Sequence, residues 1–445
     1  MVPYAEHMTH RTNLMTFDRT EVVATTLARP EGYDALEQVV RGAERLIARG
    51  AGLSYSAASF GAGTVSVDMT RFDRVLAYEA TTGNIVVEAG IRVGDLLAVL
   101  GSRHRHVPAL PGYPDITVGG CVAFDVHGKS QFHTGNFGDW VEEIRLTHRD
   151  HGEIVCSRSS NAEAFDLTIG GLGLTGIITQ VTLRTMALNG SSVSTSCVRT
   201  ENLIEAAEFM RSQAADVDTL YSWHNMNLRG RSMGRGVIYI ERLVNEPPPK
   251  TVTVRRLVSC HSRFPIRAWN RLLTGTAQRI YDRLQPIGKT RLSDLHSATF
   301  PIEGKEIYYA AFGRPGFREY QVIVPFDHWE GFVEALGRLL SQARTPVTLG
   351  SLKLFRGARH ALRFRGEGMC LAIDVPAIER ARALFSQLDH LAVAAGGLAN
   401  LSKDSRLAAE SCQAMFEEYT NFRTALRNFD PRGRHQSRLR ESIGV

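Results

Sequence analysis

The sequence predicts an α+β protein of two domains, on three observations. The chain has 445 residues, more than one ordinary domain holds. From about residue 20 to residue 185, short strand and helix patterns alternate and are punctuated by glycine clusters. Beyond about residue 190 those clusters thin out, and longer periodic segments predict helices packed on one face of an antiparallel sheet.

Taken in order, residues 35–48 read as a helix with Leu36, Val39 and Val40 on one side, stopping before Arg49 and Gly50. Residues 64–69 alternate, with Val65, Val67 and Met69 on one face, which predicts a half-buried strand. Residues 85–89 predict another strand, running into a helix that carries Val93, Leu96, Leu97 and Leu100 at helical spacing. Residues 177–183 close this region as a strand. A turn-rich stretch at 245–250 holds three consecutive prolines. Strands are then expected at 320–325, 351–355 and 370–376, and helices at 329–342 and 378–395. The last helix turns Ile378, Ala381, Phe385, Leu388 and Leu391 inward.

Hydrophobic residues make up 43% and charged residues 22%, the balance of a soluble globular chain. Six cysteines lie far apart with no CxxC pair, so buried reduced thiols are expected rather than a disulfide framework or a zinc site. The first residues lack an apolar h-region, and no apolar run reaches the roughly 18 residues of a membrane span. A soluble, cytoplasmic protein is expected. The net charge of +6 is interspersed with acidic residues, and only the tail from Arg427 to Arg440 is locally Arg-rich, which reads as a solvated face. That basic balance suits a phosphorylated substrate or an anionic membrane surface equally well.

Three glycine-bearing segments carry the chemistry: residues 49–55, residues 111–120 and residues 170–176. The third matches GxGxxG through Gly171, Gly173 and Gly176. A dinucleotide fingerprint needs a helix next and an acidic residue about 20 positions on. A β-rich run follows instead, with no Asp or Glu between Ile177 and Thr200, so a Rossmann site is rejected. The first two segments suit a different phosphate device, in which successive backbone N–H groups of a glycine turn pair a buried diphosphate. Asp125, His127 and Lys129 form a polar cluster in an apolar stretch. His104, His106, His127 and His133 lack a ligand pattern, and no metal is expected.

In this order, the segments RGAGLSY, VSVDMT, PGYPDITVGGCVAFDVHGK, GNFG, GGLGLTGII, YSW, YQVIVP, KLF and SKDSR resemble the PCMH-type, vanillyl-alcohol-oxidase-like flavoproteins. Within them they are most similar to the decaprenylphosphoryl-ribose oxidase branch. Residues 230–315 match poorly. The resemblance implies an FAD-binding domain over 1–189, a substrate-binding domain over 190–397, and a segment over 398–445 that returns to the FAD domain. It implies that Arg49, Gly50, Ala51, Gly52, Leu53, Ser54 and Tyr55 wrap the FAD diphosphate. Gly112, Thr117, Val118, Gly119 and Gly120 would contact diphosphate and ring, with Phe124, Asp125, His127, Ile178 and Asn400 beside the isoalloxazine. Leu53 stands where many relatives have a flavin-linking histidine, so the FAD should be non-covalent.

On the substrate side the resemblance implies Tyr55, Trp223, Gln321, Lys353 and Cys370 as binding residues, and Lys403, His127 and Lys129 as catalytic. Oxidising a secondary alcohol requires a base for the hydroxyl proton while hydride leaves the carbon. A lysine serves as that base only if its pKa is lowered, and otherwise clamps an anion. The chain departs from the family at Glu319 (a glutamine there), Asn400 (a tyrosine), Cys370 (an asparagine) and Ala372 (a cysteine). The implied activity is oxidation of a ring hydroxyl of a furanosyl, phosphorylated substrate. Where that is the first half of an epimerisation, a separate reductase is the partner. The alternatives are the same chemistry on a soluble nucleoside or nucleotide, an alditol or aldonolactone oxidase, and a basic nucleic-acid- or membrane-surface-binding protein. No nucleic-acid partner and at most peripheral membrane association are expected.

Overall fold

The computed structural model describes residues 9–247 and 258–445. The first eight residues and residues 248–250, half of the 245–250 proline stretch, therefore lie outside the described residues.

The N-terminal part holds two sheets. The first runs Thr9–Met15, Val22–Ala28, Val65–Asp68, Leu46–Arg49, with an antiparallel outer pair and parallel pairing beyond it. The expected helix over 35–48 is the Tyr33–Gly42 helix alone, with Leu36, Val39 and Val40 buried. Gly42 ends it, and Leu46 and Ile47, both buried, start a strand instead. The strand expected to be half-buried at 64–69 is Val65–Asp68, and Ser66 on its second face is buried as well. It lies between two parallel neighbours, where both faces are covered. The second sheet is antiparallel, ordered Val75–Tyr78, Asn84–Glu88, Ile177–Arg184, Val141–His148, Gly152–Ser157. The Val93–Gly101 helix buries Val93, Leu96, Leu97 and Leu100 against it.

An eight-stranded antiparallel sheet dominates the rest. Its order is Arg291–Ser293, Ser192–Thr200, Arg235–Val244, Thr219–Asn225, Leu349–Phe355, Gly368–Pro376, Phe317–Val324, Leu398–Ala399. Helices Leu203–Gln213, Phe326–Ala343 and Glu379–Ala394 pack on one face through Met210, Phe332, Leu336 and Phe385. Successive strand residues point to opposite faces. Thus Leu352 and Leu371 meet the helices, while the neighbouring row Tyr239, Tyr221, Lys353, Cys370 and Ile323 looks the other way.

The Arg-rich tail is not a plain solvated face. Leu46 N–H donates to Arg434 O at 2.9 Å and Arg438 N–H to Phe60 O at 2.8 Å, which lays the tail along the first glycine loop's strand. Arg440 is buried, its guanidinium near Asp430 and bonded to His435 O. Leu439 and Ile443 at spacing four supply the apolar anchor. All six cysteines are buried, as expected.

Candidate active site

The Leu46–Arg49 strand delivers the chain into the first glycine loop. A Cβ on Gly50 would sit 2.2 Å from Thr117 Oγ1, so only glycine lets this loop close on the second glycine segment. Gly52 has φ +72° and lies over the Arg49 guanidinium, another position that favours glycine. The N–H groups of Ala51, Gly52 and Leu53 make no hydrogen bond among the described residues. Arg49 bonds only the Ser59 hydroxyl, at 2.9 Å, and forms no ion pair among the described residues. Unclaimed amides around an unpaired cation fit a dinucleotide diphosphate. Gly112, around which a Cβ would meet nothing within 4 Å, keeps the facing segment open.

The second segment contributes less through its amides than expected. Val118 N–H donates to Ile91 O, Gly119 N–H to Ala89 O, and Gly120 N–H to Thr117 Oγ1. Its glycines serve close approach: a Cβ on Gly119 would lie 3.1 Å from Ala89 Cβ. Val118 and Ile178 are packed into the hydrophobic cluster of the five-stranded sheet. Asp125 caps the Val118–Phe124 helix in the left-handed region, φ 44°, and its Oδ1 accepts the Gly138 N–H at 2.8 Å. It holds the turn that brings His127 round. Phe124 packs against the large core of the other domain's sheet.

His127 begins a directed hydrogen-bond chain. Its Nδ1–H donates to Gly128 O at 3.1 Å, leaving the Nε2 lone pair to face Gln321 Nε2 at 3.4 Å. Gln321 Oε1 accepts from Asn400 Nδ2 at 2.6 Å, and Asn400 Oδ1 accepts from the Ser402 N–H and hydroxyl. Burial first, and the nearby Lys353 charge second, push the His127 imidazole well below its usual range. It is neutral at physiological pH. The ring is held between Phe355 and Phe364, at 4.8 and 5.7 Å.

The three lysines part company. Lys353 is half-buried and is the one lysine of the three with a lowered pKa: desolvation lowers it, and the charges of Lys403 and Lys129 push the same way. Lys403 Nζ stands 4.0 Å over the Tyr55 ring and 3.3 Å from Glu319. Lys129 is engaged by both Glu241 oxygens at 2.9 Å, by Ala298 O, and by the Tyr221 ring. Cys370 faces Lys353 across the strands, and burial drives its thiol up to about 12, so it is no thiolate nucleophile. Tyr55 is buried, stacked on Phe17 at 5.4 Å, with its hydroxyl toward Tyr309. Trp223 joins Tyr221, Tyr239 and Tyr281 in an aromatic wall.

Sequence reasoning missed Asp374, opposite Glu319 in register and bonded to Tyr308 OH at 2.8 Å. Burial, then the Glu319 charge, hold its carboxyl well above the usual carboxylate range. Only the strand register brings Asp374 opposite Glu319, so no local sequence signal marked it. Also unforeseen is a buried His148–Asp430–His435 cluster, whose ligand-type atoms lie within 4.8 Å of one another. It joins the five-stranded sheet to the tail, residues nearly 300 apart in sequence that no local spacing connects.

Residues 24–157 match a family model described as an FAD binding domain. The chain is 26% identical to decaprenylphosphoryl-β-D-ribose oxidase of Mycolicibacterium smegmatis, over 96% of each chain. It is 29% identical to an uncharacterised Streptomyces coelicolor protein, over 80% of this chain and 99% of the other. A D-arabinono-1,4-lactone oxidase assigned in Neurospora crassa matches at 29% over 35% of this chain and 28% of its own length.

Proposed function

We propose, on the premise that this chain is a PCMH-type FAD-dependent oxidoreductase acting on CH–OH groups, that it oxidises a ring hydroxyl of a phosphorylated furanosyl substrate. The product is the 2-keto sugar, and where the reaction opens an epimerisation a separate reductase completes it. The observation that supports the anionic substrate is the half-buried Lys353, on the sheet face of Gln321 and within charge range of Lys403, beside the neutral His127.

FAD, when bound in the cradle of Arg49–Tyr55 and Gly112, supplies the hydride acceptor. Lys403 takes the hydroxyl proton as its ammonium passes one to the Glu319 carboxylate 3.3 Å away, so the acceptor is the ion pair rather than a free amine. The His127 Nε2 lone pair, aimed by the bond to Gly128 O, exchanges its long 3.4 Å bond from Gln321 for one from the substrate hydroxyl and orients it. An anionic group arriving at Lys353 moves its pKa back up, because that charge offsets the desolvation which lowers it. Trp223 and Tyr221 supply flat faces for the sugar or aglycone. Lys129 braces Glu241 against Tyr221.

We further place the division at 1–189, 190–397 and 398–445, a cytoplasmic location, and a dissociable FAD. Leu53 packs among Phe17, Tyr55 and Tyr113 and offers no atom for a flavin bond. Acid precipitation should release the flavin into the supernatant; flavin retained in the pellet removes the non-covalent assignment. A second reading keeps the chemistry and takes a soluble nucleotide, which the aromatic wall favours because a base stacks on such faces. Lys353→Met tests the anionic substrate. KM for a phosphorylated furanoside should rise while KM for its dephosphorylated form stays put; equal effects on both remove Lys353 from recognition.

A further inference from the structure

The Arg271–Leu284 helix is built inside out. Its inner side holds buried Thr274, Gln278 bonded to Val347 O, and Tyr281 against Trp223 at 5.3 Å. Its outer side carries Leu272, 81% exposed, Leu284, 71% exposed, and the exposed Leu273 and Ile280. At 100° per residue these four fall within an arc of about 120°, a continuous apolar stripe turned to solvent. Phe264, Ile266 and Ile287 extend the exposed apolar surface beyond both helix ends. Monomeric soluble proteins rarely leave such a stripe bare.

The charge around it has one sign. Residues 258–293 hold seven Lys and Arg against the single Asp282. Arg271, Arg279 and Arg283 are exposed, and none makes an ion pair among the described residues. At the helix C-terminal end, Arg199, Lys289 and Arg291 rim a cleft of about 440 Å³ whose floor is Leu284, Pro286 and Ile287. Two copies meeting here about a twofold axis would oppose like charges. A nucleic acid would answer the cations and leave the leucines in water.

From this pairing of apolar stripe and unpaired cations, we propose that residues 264–292 are a docking surface for an anionic lipid bilayer. The leucines enter the acyl boundary, and the arginines and Lys289 bind headgroup phosphates in the cleft. This goes beyond the oxidation reading and does not depend on it. The inner side of the same helix walls the aromatic cleft, so docking sets that cleft at the lipid surface.

The test uses the full-length, FAD-loaded protein sedimented with vesicles of phosphatidylglycerol in phosphatidylcholine, and of phosphatidylcholine alone. Wild type should partition at least about tenfold more strongly onto the anionic vesicles. The variant Leu272→Asp/Leu284→Asp should lose about tenfold or more, at unchanged melting temperature and flavin content. Wild type remaining in the supernatant overturns the proposal, as does a variant that binds like wild type. It is equally overturned if size exclusion shows a wild-type dimer that the variant dissolves without vesicle binding, or if only DNA binds.

Discussion

Gly50→Ala perturbs the flavin cradle at its tightest point. The new Cβ would lie 2.2 Å from Thr117 Oγ1 and 3.2 Å from its Cβ and Cγ2, where carbon contacts settle at about 3.5–4 Å. The loop must therefore open by roughly 1 Å, an overpacking that costs about 1–3 kcal/mol. Carried by the FAD-bound conformation, that cost weakens FAD binding about 5- to 150-fold. The displaced Thr117 hydroxyl also gives up its bond to the Gly120 N–H, the N-cap of the Val118–Phe124 helix. Quenching of flavin fluorescence gives the Kd, and thermal melting of the apoprotein separates a folding defect from a binding defect. Gly101→Ala, with nothing within 4 Å, is the silent control. Thr117→Ala in the Gly50→Ala background removes Oγ1 and Cγ2, leaving only the Cβ contact, and should restore part of the affinity. A Gly50→Ala Kd within about twofold of wild type would refute the cradle.

Further outcomes bear on the active site and on stability. Lys403→Ala should abolish flavin reduction by substrate while FAD stays bound; stopped-flow reduction at a near-normal rate removes Lys403 from the chemistry. Glu319→Gln should keep FAD affinity and lower the reduction rate about tenfold or more, since the charged partner of Lys403 is lost. His148 is buried beside His435 and held down from 6.5 to about 4, by burial first. The unfolded chain then binds a proton the folded one does not, so stability falls as pH drops from about 6.5 to about 4, by up to about 3 kcal/mol. Asp430, held below its usual range against the effect of burial by the His435 side chain first and then by the Arg434 and His435 N–H groups, adds stability that is lost at still lower pH. His148→Gln should flatten the slope of unfolding free energy between pH 6.5 and 4.5; an unchanged slope counts against the assignment.

Much of this molecule is legible along the chain because its signals are local. The Val93–Gly101 helix, the Phe317–Val324 strand and the Glu379–Ala394 helix follow from apolar spacing; in the last, Ala381, Phe385 and Leu388 are buried as expected, Ile378 and Leu391 only partly, and Leu384 and Ala392 are buried besides. The strand at Leu46–Arg49 was hidden because four residues that continue an apolar helix pattern carry no period of their own. Only parallel pairing with Val65–Asp68 decides it. The roles of Val118–Gly120 were equally illegible. Glycines that admit a ligand and glycines that let Ala89 and Thr117 approach look alike in sequence. Among the lysines, the family resemblance gave the set but not the order. Lys353 is half-buried and Lys129 is ion-paired to Glu241, 112 positions away, and such partners emerge only from the sheet register.

Anaerobic titration of the FAD-loaded protein, read as loss of visible flavin absorbance, tests the central claim most directly. The substrates are phosphorylated and polyprenyl-phosphate-linked pentofuranosides, nucleosides, nucleotides, alditols and aldonolactones. Bleaching by an anionic furanoside, with the uncharged alditols and aldonolactones inert, is the result predicted. Bleaching by an uncharged alditol or aldonolactone in preference, or by none of the panel, would contradict it.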